Sequence, residues 1–347
     1  MAAESRLKKV LADAHEPFLA PMRAELLALN RSGADEIHRG ALAANALAES
    51  YARVVRRLLA QADVAAPEVR AIGAHGQTVR HRPGEFDGTG YTVQLFNGAL
   101  LAERCGIDVV CDLRSRDVAA GGQGAPLVPA FHAAVFGTDG RAQAVLNLGG
   151  IGNLTLLQAD GRVGGFDCGP ANVLMDGWCL QHRGQPFDAD GAWAAGGHVL
   201  PELLARCEVE PFFQRPPPKS TGRDLFDAAW LATRLNPADA PQDVMATLAE
   251  LTARSAAMAL KCHLPESERL LVCGGGALNG HLMRRLAALL PGQPVASTAT
   301  AGLPPLQVEA AAFAWLARAF VERQPGNRPE VTGARGLRVL GALHPAG

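Results

Sequence analysis

The chain contains 347 residues, with 33 Lys and Arg against 34 Asp and Glu, so its net charge at neutral pH is −1. A balance this close to zero excludes the general electrostatic attraction by which basic proteins bind nucleic acid or anionic membranes. Hydrophobic residues make up 48% of the chain and charged residues 19%. This composition excludes disorder and, at this length, predicts about two domains.

The seven cysteines are odd in number and show no C-x-x-C spacing, which argues against a disulfide framework and against a structural zinc site. The N-terminal segment has no apolar core after its basic residues, and no stretch of about 18 apolar residues occurs in the chain. We therefore expect an unexported protein of the reducing cytoplasm, with no membrane or nucleic-acid partner.

The first region is predicted to be helical, since apolar residues recur there at spacings of three and four: Leu47, Tyr51, Val54 and Leu58. Short apolar runs then predict strands at 69–73, 91–95 and 108–111. Polar segments beginning at His75 and Asp112 follow the first and third of these runs. Open α/β sheets place their ligands at such positions.

A loop rich in Gly and Pro, 119–129, indicates a boundary between two halves. We expect a first α/β domain at 1–120 plus 321–347 and a second at 121–320. In the second, strands at 144–148 and 153–157 are joined by the turn 149–152, a third strand covers 164–167, and Asn172 caps the next helix.

The rest of the second half alternates loops, helices and one buried strand. An extended loop at 216–223 precedes a segment with helical spacing, 224–235, and a long Ala-rich helix follows at 243–261. The buried strand 270–273 runs through three glycines into a helix. A last helix covers 308–320.

Neither G-x-x-x-x-G-K-[ST] nor G-x-G-x-x-G occurs. Two other glycine turns, LGGIGN (148–153) and CGGGALN (273–279), follow predicted strands. Glycines there allow backbone N–H groups to approach phosphate oxygens. Taken singly, each turn is explained equally well by tight-turn geometry. Together they suggest a phosphorylated cosubstrate.

Three polar features each allow a chemical and a structural interpretation. Asp167, at the end of a short strand, suits a general base but also a turn or helix cap. His75 with Asp112 and Asp117 suggests a metal site, although structural or substrate hydrogen bonding fits the spacing better. Arg114 and Arg116 suit a carboxylate ligand, or surface ion pairs. The G-x-S-x-G signature of a covalent nucleophile is absent.

Taken in order, several blocks of this chain resemble the anhydro-N-acetylmuramic acid kinase family. They are AHGQTVRHRP (74–83), CDLRSRDVAAGGQGAPLVPAFH (111–132), LNLGGIGNL (146–154), GFDCGPANVLMDGW (165–178), PKSTGRDLF (218–226), ATLAELTA (246–253), VCGGGALN (272–279) and VEAAAFAWLA (308–317). The resemblance covers the chain from about residue 71 to its end.

The resemblance implies an actin-like sugar kinase fold, in which two RNase-H-like α/β domains surround a nucleotide cleft, and a cytoplasmic homodimer. It also implies a reaction in cell-wall (peptidoglycan) recycling. ATP, with Mg²⁺, phosphorylates O6 of 1,6-anhydro-N-acetylmuramic acid while water opens the anhydro bridge, giving N-acetylmuramic acid 6-phosphate. The partners are thus an amino sugar and ATP.

The resemblance also implies roles for individual residues. Asp167 matches the family's catalytic aspartate, which would activate the water. Cys168 and Ala171 stand where the family's block has Thr and Gly, two changes that we expect to be tolerated. The substrate-binding residues are His75, Gln77, Thr78, Arg114, Asn172 and Glu309, and the nucleotide-binding residues are Gly149, Gly150, Asn153, Gly274, Gly275 and Gly276. Metal ligands are not assigned.

One departure concerns the N-terminus. Family members begin with a β-hairpin carrying MSGTSxDG, a phosphate loop, whereas this sequence begins MAAESRLKKV. Either the true start lies upstream or the chain is truncated. Two alternatives stand beside the kinase. The missing loop supports a catalytically impaired sugar- or nucleotide-binding protein. The glycine turns would serve a phosphohydrolase on the same fold equally well, although the blocks quoted above count against it.

Overall fold

Helices and strands alternate along residues 9–222 and 225–347, the part of the chain that the computed structural model describes. They group into two compact units, Met1–Phe131 with Glu309–Gly347, and His132–Val308. The chain enters the second unit within helix α5 and leaves it at the start of helix α13, whose bounds are given below.

The elements of the first part of the chain are α1 (Ala20–Ala28), α2 (Glu36–Ala62), β1 (Ile72–Gly73), β2 (Gln77–Pro83), β3 (Gly90–Leu95), α3 (Gly98–Cys105), β4 (Val109–Cys111), α4 (Ser115–Ala119) and α5 (Val128–Phe136). The second unit continues with β5 (Gln143–Leu148), β6 (Ile151–Leu157), β7 (Val163–Pro170), α6 (Asn172–Arg183), α7 (Ala192–Ala195), α8 (Pro201–Glu208), α9 (Pro211–Gln214), α10 (Ala228–Ala232), α11 (Pro241–His263), β8 (Leu270–Cys273), α12 (Gly280–Leu289) and β9 (Val295–Ser297). The chain then returns through α13 (Val308–Val321), α14 (Pro329–Thr332) and β10 (Ala342–His344). Short 3₁₀ turns lie at Ala66–Glu68, Ala189–Gly191, Gly275–Leu278 and Thr298–Ala301.

The first unit contains a small sheet in the order β1-β4-β10, with β1 parallel and β10 antiparallel to β4. Helix α2 buries Ala48 and Ala52 in a cluster that also contains residues of α3 and β4, and Leu47 in a second cluster with residues of α1 and β2. Helix α3 begins where the Asn97 side chain accepts a hydrogen bond from the N–H of Leu100 and ends at Gly106, in the left-handed conformation. Strands β2 and β3 form a separate antiparallel hairpin.

The second unit is built on a five-stranded sheet in the order β7-β6-β5-β8-β9. Strands β5, β6 and β7 are antiparallel neighbours, whereas β8 and β9 run parallel to β5. Helices cover this sheet, and α11 is buried along most of its length. The central strands β5 and β8 are almost continuously buried, as expected for strands covered on both faces. This is the mixed α/β architecture of an RNase-H-like domain.

The unit boundaries differ from the predicted 120/121 and 320/321, because both connecting segments are held by the first unit. Loop 121–127 donates backbone hydrogen bonds to Asp117 and to the carbonyl of Thr332. Helix α13 packs on β1 so closely that a Cβ at Gly73 would overlap the Phe313 carbonyl. The Gly- and Pro-rich loop therefore belongs to the first unit.

Five smaller expectations also need correction. The strand predicted at 69–73 is only β1, because Val69 still closes the preceding 3₁₀ turn. The polar segment from Gln77 is strand β2, and Asp167 lies inside β7 rather than at its end. Asn172 is the first residue of α6, with Ala171 as its N-cap. The helix expected at 224–235 is limited to α10.

Two residues that these predictions included, Arg223 and Asp224, and the first eight residues lie outside the described part of the chain. Among the described residues, no helix is both long enough and apolar enough to cross a membrane.

Candidate active site

The two glycine turns meet at one end of the second unit's sheet. Strands β5 and β8 are parallel neighbours, with Asn147 in register with Cys273. A glycine turn directly follows each strand, so residues 149–150 and residues 274–276 lie side by side. Carboxyl ends of adjacent parallel strands are where α/β sheets place their ligands.

Close packing of one turn on the other explains why two of these positions are glycine. Gly274 has φ +79°, and a Cβ there would lie 2.5 Å from Asn147 Oδ1 and 2.7 Å from the Leu148 carbonyl oxygen. A Cβ at Gly276 would lie 2.5 Å from Leu148 Cβ. Gly149 is different, because the nearest heavy atom to its Cβ would be 3.8 Å away. Its backbone is therefore open to a ligand.

Asn172 joins the two turns. Its Nδ2 donates to the Leu148 carbonyl at 2.9 Å, and its backbone N–H donates to the Gly149 carbonyl at 3.0 Å. The same amide lies 3.5 Å from where a Cβ of Gly275 would be. The first turn of α6 thus holds both glycine turns in one arrangement. Asn172 therefore holds the two turns in position, in addition to the substrate contact that the sequence predicts for it.

A row of polar residues crosses the sheet beside the turns. Asn147, Asn153 and Asp167 are successive register partners on β5, β6 and β7. Register partners in antiparallel strands project to the same face. Each is partly exposed between two buried neighbours in its strand. Asn147 was missed from the sequence, where its signal is a single polar residue interrupting a buried strand.

The Asp167 carboxylate is anchored through one oxygen. Its Oδ2 accepts a hydrogen bond from the backbone N–H of Thr221 at 2.9 Å, and its own N–H donates to the Lys219 carbonyl at 3.1 Å. Burial raises the pKa of Asp167 to about 6, and the Thr221 N–H opposes that rise. The side chain is therefore ionised at neutral pH but readily accepts a proton, as a general base must.

The two departures from the family's catalytic block lie beside Asp167. The buried Cys168 thiol donates to the Gly152 carbonyl at 3.2 Å, a bond that a Thr hydroxyl would also make. Burial raises the pKa of Cys168, so the group remains a neutral thiol. Ala171 is fully buried at the N-cap of α6. That both changes are tolerated stays a prediction.

In the first unit, Arg114 and His75 are directly paired. Arg114 donates from Nε and Nη2 to His75 Nε2, at 3.1 and 3.0 Å, and from Nη1 to the Gly124 carbonyl at 2.8 Å. Because Nε2 accepts, His75 carries its proton on Nδ1, which donates to the Gly76 carbonyl. Burial, with the Arg114 charge acting in the same direction, lowers the pKa of His75 to about 4. The imidazole is therefore neutral.

Two further groups surround this pair. Glu309 lies in the first turn of α13, and its charge favours the ionised form of Arg114, although burial lowers the Arg114 pKa overall. Tyr51, on α2, has a pKa raised by burial and, to a lesser degree, by Glu309. In the sequence, Tyr51 was counted only among the apolar residues of the first helix. Its hydroxyl is the feature that could have marked it as a candidate site residue.

Other predicted residues are placed differently. Gln77 and Thr78 are neighbours on β2 and so project to opposite faces. Thr78 accepts a hydrogen bond from Gln94 across the hairpin, and Arg116 is exposed. The metal interpretation of His75, Asp112 and Asp117 is wrong: Asp117 is buried and bonded to Gly124, Asn327 and Thr332. Within the described residues no group of three or more His, Cys, Asp or Glu side chains could hold a metal.

Comparison with known proteins gives a match along nearly the whole chain. Residues 1–346 match the family model described as anhydro-N-acetylmuramic acid kinase. The chain belongs to the anhydro-N-acetylmuramic acid kinase family. A relative of that name from Variovorax paradoxus is 60% identical over 344 residues, covering 97% of this chain and 92% of the relative. Another, from Bordetella petrii, is 60% identical over 349 residues, covering 99% and 91%.

Two of the solved structures that resemble this member of the family are much more distant from it in sequence. A dehydratase activator from Clostridium difficile with bound ADPNP has a TM-score of 0.41 at 12% identity, covering 78% of this chain and 82% of its own. A ROK hexokinase from Thermus thermophilus has a TM-score of 0.32 at 15% identity, covering 75% and 83%. The family match favours the kinase interpretation over the binding protein without turnover.

Proposed function

We propose that this chain uses ATP to phosphorylate O6 of 1,6-anhydro-N-acetylmuramic acid while water opens the anhydro bridge. The observation that carries the proposal, beyond family membership, is the Asp167 carboxylate. Burial raises its pKa to about 6, and it lies in a polar row beside two glycine turns. A base of that strength suits activation of water at neutral pH.

Asp167 accepts a proton from the attacking water, whose oxygen bonds to C1 of the sugar. The C1–O6 bond breaks, and O6 takes the γ-phosphoryl group of ATP, releasing ADP. The products are N-acetylmuramic acid 6-phosphate, ADP and the proton held by Asp167. Phosphoryl transfer of this kind depends mainly on positioning and on stabilising charge around the phosphate.

The nucleotide phosphates would bind at the two glycine turns. Gly149, Gly150, Gly274 and Gly275 are at least partly exposed, Gly276 packs beneath them, and Asn153 lies beside them in the polar row. Mg²⁺ typically takes substrate phosphates, water and few protein oxygens. The amide oxygens of Asn147 and Asn153 would be its protein neighbours, and the ion supplies charge neutralisation.

The sugar would be recognised by the residues around Arg114. Three of the five N–H groups of its guanidinium bond to His75 and Gly124, which leaves two for a substrate carboxylate such as the lactyl group. His75, Gln77, Thr78, Asn172 and Glu309 complete the set that we assign to the sugar. We place the reaction in peptidoglycan recycling, carried out by a cytoplasmic homodimer.

The decisive test replaces Asp167 by Asn, which is nearly isosteric but cannot accept the proton. We expect kcat for sugar-dependent ADP release to fall about 10² to 10⁴-fold. Affinity for the sugar and for a non-hydrolysable ATP analogue, measured by calorimetry, should stay within about twofold. Retention of more than half of the turnover would refute the assignment of Asp167. A parent chain that forms no sugar phosphate would refute the proposed activity.

A further inference from the structure

The ammonium group of Lys219 is held within the second unit by several contacts. Its Nζ donates to the carbonyls of Phe212 and Phe213, at 3.2 and 3.1 Å. It lies 4.8 Å from the ring centre of Phe212 and 5.9 Å from that of Phe166. Cations over aromatic faces are attracted to them, more strongly where water is excluded. The side chain therefore fixes its own segment to helix α9.

The backbone of the same segment holds the proposed general base. Strand β7 is at the edge of its sheet. On its open side, Asp167 N–H donates to the Lys219 carbonyl, and Thr221 N–H donates to Asp167 Oδ2. The three residues 219–221 thus form two hydrogen bonds with one residue of β7. Any shift of this segment would alter the only hydrogen bond that the carboxylate receives from the described residues.

We infer that Lys219 is a positioning residue for Asp167, anchoring residues 219–221 so that the Thr221 N–H holds the carboxylate in place. The kinetic part of this inference rests on the proposed function. The effect on the carboxylate itself does not, because it follows from the contacts alone.

Other titratable groups also face Lys219. Lys219 lines a cavity of about 240 Å³ together with Cys168 on β7, Cys262 and His263 at the end of α11, and Glu208 at the end of α8. Arg215, which follows α9, is a further charged group near Lys219. Cys168 is buried as a neutral thiol, and burial lowers the pKa of both His263 and Lys219. Because several groups near Lys219 can titrate, the effect of Lys219 on the carboxylate must be measured as the pKa of Asp167 itself.

The test is Lys219→Met, which keeps the aliphatic stem and removes the ammonium. With the Thr221 N–H displaced, the pKa of Asp167 should rise by about one unit. A ¹³C NMR titration of the carboxyl groups, with Asp167→Asn to assign the signal, measures this directly. We also expect kcat to fall about tenfold or more, KM to change little, and the acid limb of the kcat profile to move to higher pH.

Lys219→Arg, which keeps a cation and donors, should restore most of kcat, and Lys261→Met is the control at an exposed lysine. An unchanged Asp167 pKa in folded Lys219→Met would overturn the inference. If that variant does not fold, Lys219→Gln takes its place with the same criterion. If Asp167→Asn retains activity while the Asp167 pKa still shifts in Lys219→Met, the proposed function fails and the positioning contact stands.

Discussion

At the scale of single residues, the ionisation of Asp167 sets the expected pH dependence. The group must be deprotonated to accept a proton, and burial places its pKa at about 6. We expect kcat to fall as the pH is lowered through about 6, approaching a tenfold loss per pH unit below it. Steady-state assays from pH 5 to 8 measure this, with thermal unfolding at each pH as the control. A kcat that is constant down to pH 5 would contradict it.

The same shift predicts an effect on stability. The pKa of Asp167 is raised by folding, so the folded chain binds this proton more tightly than the unfolded chain does. Ionised Asp167 therefore destabilises the fold above pH 6, and the penalty disappears as the pH falls toward the unfolded value near 4. Asp167→Asn should be more stable than the parent at pH 7.5, by about 1 to 2 kcal/mol, and this advantage should be lost at pH 4. Denaturant unfolding at both pH values would show it.

Arg114 offers a test of sugar recognition. Arg114→Ala removes the donor to His75 Nε2 and the two N–H groups proposed for the substrate carboxylate. We expect the sugar KM to rise at least tenfold while affinity for an ATP analogue is unchanged. Arg116→Ala, at an exposed neighbour, is the matched control. Equal sugar affinity of parent and Arg114→Ala by calorimetry would reject the role.

At the scale of elements, substitutions in the glycine turns distinguish a position where close packing requires glycine from a position that is open to a ligand. Gly274→Ala introduces a Cβ at φ +79° and within 2.7 Å of two heavy-atom neighbours, whereas Gly149→Ala meets nothing within 3.4 Å. We expect Gly274→Ala to lower stability by about 2 kcal/mol or more and Gly149→Ala to change it little. If both turns bind phosphate, both variants should raise the KM for ATP. Unfolding curves and ATP titrations together distinguish the two effects.

The loop 120–127 depends on one buried carboxylate. Asp117 accepts hydrogen bonds from Gly124 N–H, Asn327 Nδ2 and Thr332 Oγ1, all at 2.7 to 2.9 Å. Asp117→Ala leaves these donors without their acceptor and should cost about 3 kcal/mol or more. Asp112→Asn, at an exposed aspartate with φ +51°, should cost less than about 1 kcal/mol because Asn tolerates that conformation. Equal losses in the two variants would contradict the importance of the Asp117 contacts.

At the scale of the whole molecule, each substrate should protect its own unit from hydrogen exchange. A non-hydrolysable ATP analogue with Mg²⁺ should slow exchange at 147–153 and 272–276, in the second unit. The sugar should slow it at 74–78 and 112–116, in the first. Mass spectrometry of the full chain with each ligand alone measures both. Protection by the nucleotide confined to the first unit would overturn the assignment of the glycine turns.

Much of the architecture could be predicted from local patterns. The long helix α11, the buried strand β8 and the β5–β6 hairpin follow from apolar periodicity and glycine placement, and all three are found. The hairpin β2–β3 was predicted only in part, since the sequence indicated its second strand but not its first. Its first strand is rich in polar residues, and such a strand is defined by its partner rather than by its own sequence.

The sequence by itself determined the family, the α/β class and the candidacy of Asp167, because these depend on residue identity and on order along the chain. Only the tertiary structure decided which of those residues contact one another. The row of Asn147, Asn153 and Asp167 depends on strand register, and the Arg114–His75 pair joins residues 39 apart. The contacts of Thr221 and Lys219 with Asp167 span more than 50 residues. Register and long-range contacts arise from burial of whole faces, a sum over many residues that no local pattern contains.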